Sequence, residues 1–165
     1  MRWSRTRIVG ALVCLLGVLL TLVLVSAGAA GPVVKKQRIA IEERSSVGAS
    51  SGTFTLIPLT PGPVKADSGT FTFSATEKPT VIRDGQRVTT YVGVDQLRGK
   101  HGTLRIPNVT SATDAASGYS AGTVTWSLSR GTGVYSGLSG GGRGAGVLTP
   151  QGAISTRYEG YVSVR

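Results

Sequence analysis

The residues of this chain that could do chemistry are few and lie far apart. His101 is the one histidine and Cys14 the one cysteine. Nucleophilic catalysis needs a base beside the nucleophile, and a metal site needs several ligands. His101 lies in "GKHGT", which is typical of a turn that leads into a strand. The sequence therefore predicts no catalytic residue, no metal site and no cofactor.

The carboxylates are spread along the chain, and acid–base catalysis would need two of them to flank a cleft. Glu159 is the most informative acid because it lies between Tyr158 and Gly160 in a predicted final strand. Alternation places Arg157, Glu159 and Tyr161 on one face of that strand. The preferred interpretation is a polar row on the surface. The alternative is that this row lines the lumen of a barrel, where confinement would raise the pKa of Glu159.

Large aromatic side chains give further candidates for a lumen. A barrel of eight strands has an interior that is either just filled by side chains or able to hold one small ligand. Trp126 is interpreted first as a core residue, although core and pocket coincide in so small a barrel. The full set of candidate binding residues is Trp126, Tyr91, Tyr135, Tyr158, Arg157 and Glu159.

The stretch "GTGVYSGLSGGGRGAG", residues 131–146, raises the question of a phosphate-binding loop. A P-loop would need a lysine after its second glycine, and a dinucleotide-binding fingerprint would need a following helix. Neither is present, and the apolar residues Val134, Tyr135 and Leu138 argue against a flexible linker. Glycines within strands mark bends and close approaches. We therefore predict two strongly bent strands joined by a tight turn near Ser139.

From residue 49 onward, apolar and polar residues alternate with the period of a strand. The segments "GTFTLIPL", "GTFTFSAT", "AGTVTWSLS" and "AISTRYEGYVSV" show this pattern, and Asp84-Gly85 is typical of a type I′ hairpin. The alternation also places Val88, Thr90, Val92 and Val94 on one face. The fold class is therefore all-β, a single antiparallel β-barrel of about eight strands over residues 49–165. If Phe71, Phe73, Val92 and Trp126 filled its lumen, ligand binding there would be disfavoured and a structural or adhesive role would remain.

The first 30 residues have the pattern of a secretory signal. Arg2, Arg5 and Arg7 precede an uncharged run of 18 residues, and small residues follow it. Residues 1–29 are therefore predicted as a signal helix, with an uncleaved membrane anchor as the alternative because the run is long. Residues 30–48 are predicted as a linker, in which "RIAIEER" is either a short strand or one helical turn. The expected location is secreted or extracytoplasmic.

The chain has a formal net charge of +10, and it stays strongly basic after removal of the signal. One interpretation is a solvated surface, and the other is binding to an anionic polymer at the cell surface. No nucleic-acid-binding motif is present. A homo-oligomer is a further expectation, since "GTFTLIPL" could pair with a neighbouring chain if it were an open edge.

The glycine-rich stretch also carries a resemblance. Gly131, Thr132, Gly133, Tyr135 and Gly140 match the pattern G-[ST]-G-x-[FY]-x-x-x-x-G, which resembles the glycine-rich strands of allene oxide cyclase and dirigent-like barrels. Residues 49–165 also resemble a group of secreted bacterial proteins without an established activity, through "RDGQR", "GKHGTL", "GTGVYSGLSGGGR" and "YEG". The resemblance implies an eight-stranded antiparallel barrel. The active-site motifs of the plant enzymes are not recognisable here.

Two functional expectations follow. The preferred one is a non-enzymatic, exported module that binds a small apolar ligand or associates with the cell wall. The alternative is a dirigent- or cyclase-like catalyst that acts on a hydrophobic substrate inside the barrel. An enlarged lumen with an acid and an arginine pointing inward would favour the catalyst.

Overall fold

Eight long antiparallel strands close into a barrel in the computed structural model, which describes residues 35–115 and 117–164. The strands that form the barrel are β1 (Gln37–Ser46), β2 (Ser51–Pro58), β3 (Asp67–Glu77), β5 (Gln86–Gly99), β6 (Thr103–Asp114), β7 (Ser120–Leu128), β9 (Leu138–Leu148) and β10 (Ala153–Val164). Two short strands, β4 (Val81–Arg83) and β8 (Arg130–Gly131), pair with β5 and β6 outside this cycle. The predicted all-β barrel is confirmed.

The barrel closes because β5 pairs with β3 on one side and with β6 on the other. Around the barrel the order is β5, β3, β2, β1, β10, β9, β7 and β6. β2, which carries "GTFTLIPL", pairs with both β1 and β3. It is therefore not an open edge, and this route to an oligomer is excluded.

The domain boundary needs a correction, because residues 37–46 were predicted as linker and form β1 instead. Ile41 pairs with Tyr158 of β10 and with Leu56 of β2. The alternation of buried residues along β1, with Ile39 and Ile41 inside, is that of a strand with one apolar face. The signal helix or anchor predicted for residues 1–29 lies outside the described residues. Among the described residues, no helix is long and apolar enough to cross a membrane.

One end of the barrel is filled by apolar side chains and closed by a loop. The side chain of Gln37 donates to the carbonyls of Thr60 and Val64, and the Val64 N–H donates back to Gln37 Oε1 at 2.8 Å. These bonds hold the loop of residues 59–66 against the core and bury Val64 completely. The core at this end comprises Ile39, Ile41, Leu56, Val64, Leu97, Leu104, Ile106, Leu138 and Val162.

Asp67 stabilises the same closed end through hydrogen bonds. Its carboxylate accepts hydrogen bonds from the hydroxyl of Tyr135 at 2.5 Å and from the backbone N–H groups of Ser68, Lys100 and His101. Burial would raise the pKa of Asp67, but these four donors together lower it below its ordinary value. Tyr135 lies on a short 3-10 turn, Gly133–Tyr135, and its pKa is raised by burial and by Asp67.

The glycine-rich stretch divides differently from the prediction. "GTG" belongs to β8 and the 3-10 turn, and the chain reverses at Ser136-Gly137, where Gly137 has a φ of 73°. Ser139, predicted near a turn, lies within β9. The run "SGGGRGAG" is therefore a single strand between β7 and β10.

The glycines of β9 give room to two aromatic side chains of the neighbouring strands. Trp126 pairs with Gly142, and Tyr158 pairs with Gly144. The Trp126 and Tyr158 rings meet edge to face with centroids 6.2 Å apart. Since a methyl group at Gly142 would overlap the carbonyl of Glu159, only glycine fits this position.

Two further predictions concern the hairpin between β4 and β5 and the outward face of β5. The hairpin between β4 and β5 turns at Asp84 and Gly85, which both have positive φ, as a type I′ turn requires. Val92 shares a face with Val88 and Val94 as predicted, but that face is the outer one. Val92 is exposed and does not fill the lumen.

Candidate functional site

The lumen divides into a filled half and an open half. The open half is a cavity of about 360 Å³ at the end of the barrel where β3 ends and β5 begins. Its volume lies at the lower end of the range for small-molecule sites. Its wall is mostly apolar or hydroxyl-bearing, with side chains that include Phe71, Phe73, Ala75, Thr89, Tyr91, Thr110, Ala112, Val124, Leu148, Ile154 and Thr156.

Four polar side chains from four different strands converge in this cavity. The Tyr158 hydroxyl lies 2.8 Å from Asp95 Oδ2 and 3.2 Å from Glu43 Oε2. Asn108 Nδ2 donates to the same Asp95 oxygen at 2.7 Å. The residues come from β1, β5, β6 and β10, so the closure of the barrel is what brings them together. Glu43 and Asp95 are almost fully buried, with exposed fractions of 4% and 6%.

The number of available protons determines the direction of these hydrogen bonds. The Tyr158 hydroxyl has one proton, which goes to Asp95 at the shorter distance. The bond to Glu43 then requires a protonated carboxyl, which donates to the Tyr158 oxygen. This leaves Glu43 Oε1 as an acceptor, and it has no hydrogen-bond partner although it is buried. The cluster therefore lacks one donor.

The electrostatics agree with this assignment. Burial, followed by the neighbouring charge of Asp95, raises the pKa of Glu43 to about 9. Burial also raises the pKa of Asp95, to about 6, although the hydrogen bond from Tyr158 opposes this shift. The pKa of Tyr158 is raised by burial and by both carboxyls. At neutral pH the pair thus carries about one negative charge, held by Asp95.

Three of the predicted binding residues lie near this cavity. Tyr158 is at its inner end, and Tyr91 lines its wall, where burial and the charges of Glu77 and Asp114 raise the Tyr91 pKa. Trp126 is a core residue beside Tyr158, and its indole N–H lies 3.3 Å from the carbonyl oxygens of Arg143 and Glu159. Tyr135 is buried at the closed end beside Asp67 and does not reach the cavity.

Arg157 and Glu159, the other two candidates, do not line the lumen. Both lie on the outer face of β10, with side-chain exposed fractions of 45% and 36%. They form an ion-pair network with Arg38 and Glu42 of β1, which lowers the pKa of Glu159 and raises that of Arg157. The physical reason is the strand alternation, because Tyr158 points inward and its two neighbours must then point outward. The surface interpretation of this row is the correct one.

Sequence reasoning missed Glu43 and Asn108 and did not single out Asp95. Glu43 was placed in a linker, although "RIAIEER" carries a usable signal. Ile39, Ile41 and Glu43 alternate in register, so a strand that buries the isoleucines must also bury the acid. Asn108 lies on the same face of β6 as Leu104 and Ile106, and the same argument applies to it.

A second concave surface lies on the outer face of the barrel. A groove of about 540 Å³ lies over β3, β5, β6 and β8, and Arg98, Arg105 and Arg130 line it together with four threonines. In the described part of the chain the ion pairs involve Arg38 and Arg157 as their only cations, so these three arginines have no carboxylate partner. The groove is therefore positively charged.

Comparison of the chain with protein families, with curated protein sequences and with solved structures finds no match. Within residues 35–115 and 117–164, no group of three or more metal-ligating side chains is present. The site is thus defined by its geometry, which is an open, mainly apolar cavity with a buried carboxyl pair at its inner end.

Proposed function

We propose that this chain is an exported β-barrel module that binds a small, mainly apolar molecule in the open half of its lumen. The observation that carries the proposal is the cavity of about 360 Å³ in which Glu43, a buried side chain, has an unpartnered oxygen. Apolar walls with a few convergent polar groups are the usual composition of a ligand site. Export rests on the pattern of residues 1–29.

Titration of the purified protein with prodan, a neutral naphthalene dye whose emission shifts to the blue in apolar surroundings, tests this proposal. The matched variants are Ala112→Trp, which fills the lumen, and Ser111→Trp, which adds the same ring on the outer face of β6. We expect saturable binding by the parent and by Ser111→Trp, and its loss in Ala112→Trp. Equal dye binding by both variants would contradict a lumenal site.

A second candidate, catalysis in the lumen, has one observation in its favour. Glu43 and Asp95 face the cavity with separated pKa values, which is the arrangement of a general acid beside a general base. No arginine is among the described residues that line the cavity, in contrast to what the catalyst was expected to show. The test is the incorporation of deuterium from D₂O into the carbon acid 2-indanone. Catalysed exchange that disappears in Glu43→Gln and Asp95→Asn would favour this candidate.

For the anionic cell-surface partner, the site that we propose is the arginine groove on the outer face, which Arg98, Arg105 and Arg130 line. A polyanion would bind there through Arg98, Arg105 and Arg130, and its affinity would fall with salt because the groove is exposed. Retention on a polyphosphate column should weaken in the triple arginine-to-glutamine variant. It should weaken much less when Arg38, Arg143 and Arg157, which lie elsewhere on the outer face, are replaced instead.

A further inference from the structure

The lumen contains acceptors for hydrogen bonds but is short of donors. Tyr158 and Asn108 both donate to Asp95, and a protonated Glu43 donates to Tyr158. Nothing donates to Glu43 Oε1, although Glu43 is 96% buried and lines the cavity. An unpartnered buried acceptor is destabilising, so an occupant that donates a hydrogen bond at this position gains affinity from it.

The charge of the lumen points in the same direction. The acidic side chains Glu43, Asp95 and Asp114 line the cavity, and no lysine, arginine or histidine is among the described lining residues. All described ion pairs lie on the outer face, so none of them compensates the buried carboxylate. A negative charge without a counter-ion in a low-dielectric site strongly favours a cation. The positive net charge of the chain therefore does not extend into its lumen.

The aromatic side chains of the cavity wall suit the apolar body of a cationic ligand. Phe71 and Phe73 stack at an angle of 31° with centroids 5.8 Å apart, and Tyr91 and Tyr158 complete the aromatic part of the wall. Aromatic faces attract cations and also accept the apolar body of a ligand. A molecule with a small cationic end and an apolar body matches both halves of this cavity.

We propose that the lumen binds a protonated apolar amine, whose ammonium group donates hydrogen bonds to Glu43 Oε1 and to the Asp95 carboxylate while its apolar body lies along Phe71 and Phe73. This inference rests on the proposed function, because it names the ligand class of the same cavity. It predicts that apolar carboxylic acids bind weakly, since their charge would face Asp95. The Tyr158 hydroxyl and the Asn108 amide position the two carboxyls.

The experiment compares two molecules that differ only at the head group, 2-phenylethylamine and 2-phenylethanol. Isothermal titration calorimetry at pH 7.5 measures both affinities for the protein purified from its producing cells. We expect the amine to bind at least about 10-fold more tightly, since hydrogen bonds between charged groups are roughly twice as strong as neutral ones. 3-Phenylpropionate, which carries the opposite charge, should bind more weakly than the alcohol.

The variants assign the preference to the carboxyl pair. Glu43→Met removes the acceptor Oε1 and Asp95→Asn removes the negative charge, and both nearly keep the side-chain volume. Each should reduce the amine affinity by about 10-fold or more while the alcohol affinity changes by less than about 3-fold. Glu159→Gln, on the outer face, is the matched control and should retain the full preference for the amine. Two variants are used because Asp95→Asn tests the assignment if Glu43→Met does not fold.

The possible results distinguish the preference for an amine from lumenal binding as such. If amine and alcohol bind equally well, or if the carboxyl variants retain the preference, the amine inference is overturned and lumenal binding stands. If neither molecule binds and prodan does not bind either, the proposed function fails as well. Tighter binding of the amine by the parent, lost in both carboxyl variants and kept in Glu159→Gln, supports the inference.

Discussion

Glu43 illustrates at the scale of one residue how a buried acid at a candidate site can reduce the stability of its own protein. Burial and the charge of Asp95 raise its pKa from 4.5 to about 9, so the folded state favours the protonated form. The unfolded chain loses this proton at much lower pH. The free energy of unfolding is therefore greatest below the pKa that Glu43 has in the unfolded chain, and it falls as the pH rises toward 9. The other titratable groups that face Glu43 are Asp95 and Tyr158, with Tyr91 and Asp114 farther along the cavity.

The first prediction follows from this linkage. Between pH 6 and pH 9 the free energy of unfolding should fall in the parent by about 2–4 kcal/mol. The folded state keeps a proton that the unfolded state has lost, and each such proton lowers the free energy of unfolding by roughly 1.4 kcal/mol per pH unit. In Glu43→Gln this slope should nearly disappear, since the amide does not titrate. Urea denaturation across this range measures both slopes. The same slope in both proteins would show that Glu43 is ionised in the folded state.

Asp67 has the opposite linkage and gives the second prediction. Its carboxylate accepts four hydrogen bonds at the closed end of the barrel, and its pKa is lowered. Asp67→Asn should lower the free energy of unfolding by about 1–3 kcal/mol at pH 7, because the amide cannot accept all four bonds. Asp84→Asn is the control, since asparagine also tolerates the positive φ of a turn. Equal stability of the two variants would contradict a structural role for Asp67.

At the scale of the elements, the glycine strand β9 is the feature that gives the barrel its interior. The inward positions from Gly140 to Gly146 carry no side chain, and Trp126 and Tyr158 from the neighbouring strands occupy the space. The glycines therefore act through packing and not through flexibility. The loss of stability when one of these glycines is replaced by alanine should depend on the atoms that the new methyl group would contact.

The third prediction compares two glycines of this strand. A Cβ at Gly142 would overlap the backbone carbonyl of Glu159, which cannot move without disturbing β10. Gly142→Ala should therefore destabilise the protein by about 1–3 kcal/mol or more. A Cβ at Gly146 would meet the Thr156 hydroxyl at 3.0 Å, a side chain that can rotate, so Gly146→Ala should cost less than about 1 kcal/mol. Midpoints in guanidinium chloride measure both, and a reversed order would contradict this packing.

The sequence predicts the elements better than it predicts which face of each element points inward. In β3, β7 and β10 the more apolar face is the inner face, and the prediction is correct. In β5 it fails, because Val92 and Val94 lie outside while Tyr91 and Asp95 lie inside. A strand that lines a ligand cavity carries polar groups on its inner face, so hydrophobicity alone misleads at the very place where the candidate site lies.

The cluster of polar side chains in the lumen was not predicted from the sequence because its members lie far apart along the chain. Glu43, Asp95, Asn108 and Tyr158 come from four strands, and only closure of the barrel brings them within hydrogen-bond distance. Linear spacing cannot show such a cluster. What the sequence does show is the register of each acid with buried apolar neighbours, which places Glu43 beside Ile41 on one face of β1.

At the scale of the whole molecule, the barrel has one end that is filled by side chains and one end that is open. Val64, Tyr135 and Asp67 hold the closed end together, while the carboxyl pair lies where the cavity begins. Because every long strand pairs on both sides, a ligand that contacts several strands stabilises all of them together.

The fourth prediction follows from this closure. A ligand at about 100 times its dissociation constant should raise the free energy of unfolding by about 2.7 kcal/mol, provided that the unfolded chain does not bind it. With saturating 2-phenylethylamine the melting temperature should therefore rise by several degrees in the parent. It should not rise in Ala112→Trp, whose lumen is filled. A rise of equal size in that variant would place the amine outside the lumen.

The central claim is that the open lumen holds a small molecule, and mass spectrometry tests it most directly. The native mass of the protein purified from its producing cells is compared with its denatured mass, before and after exposure to prodan. If the lumen binds a small molecule, the native mass should exceed the denatured mass by one such molecule, at the latest after prodan is added. Identical native and denatured masses under both conditions would contradict it.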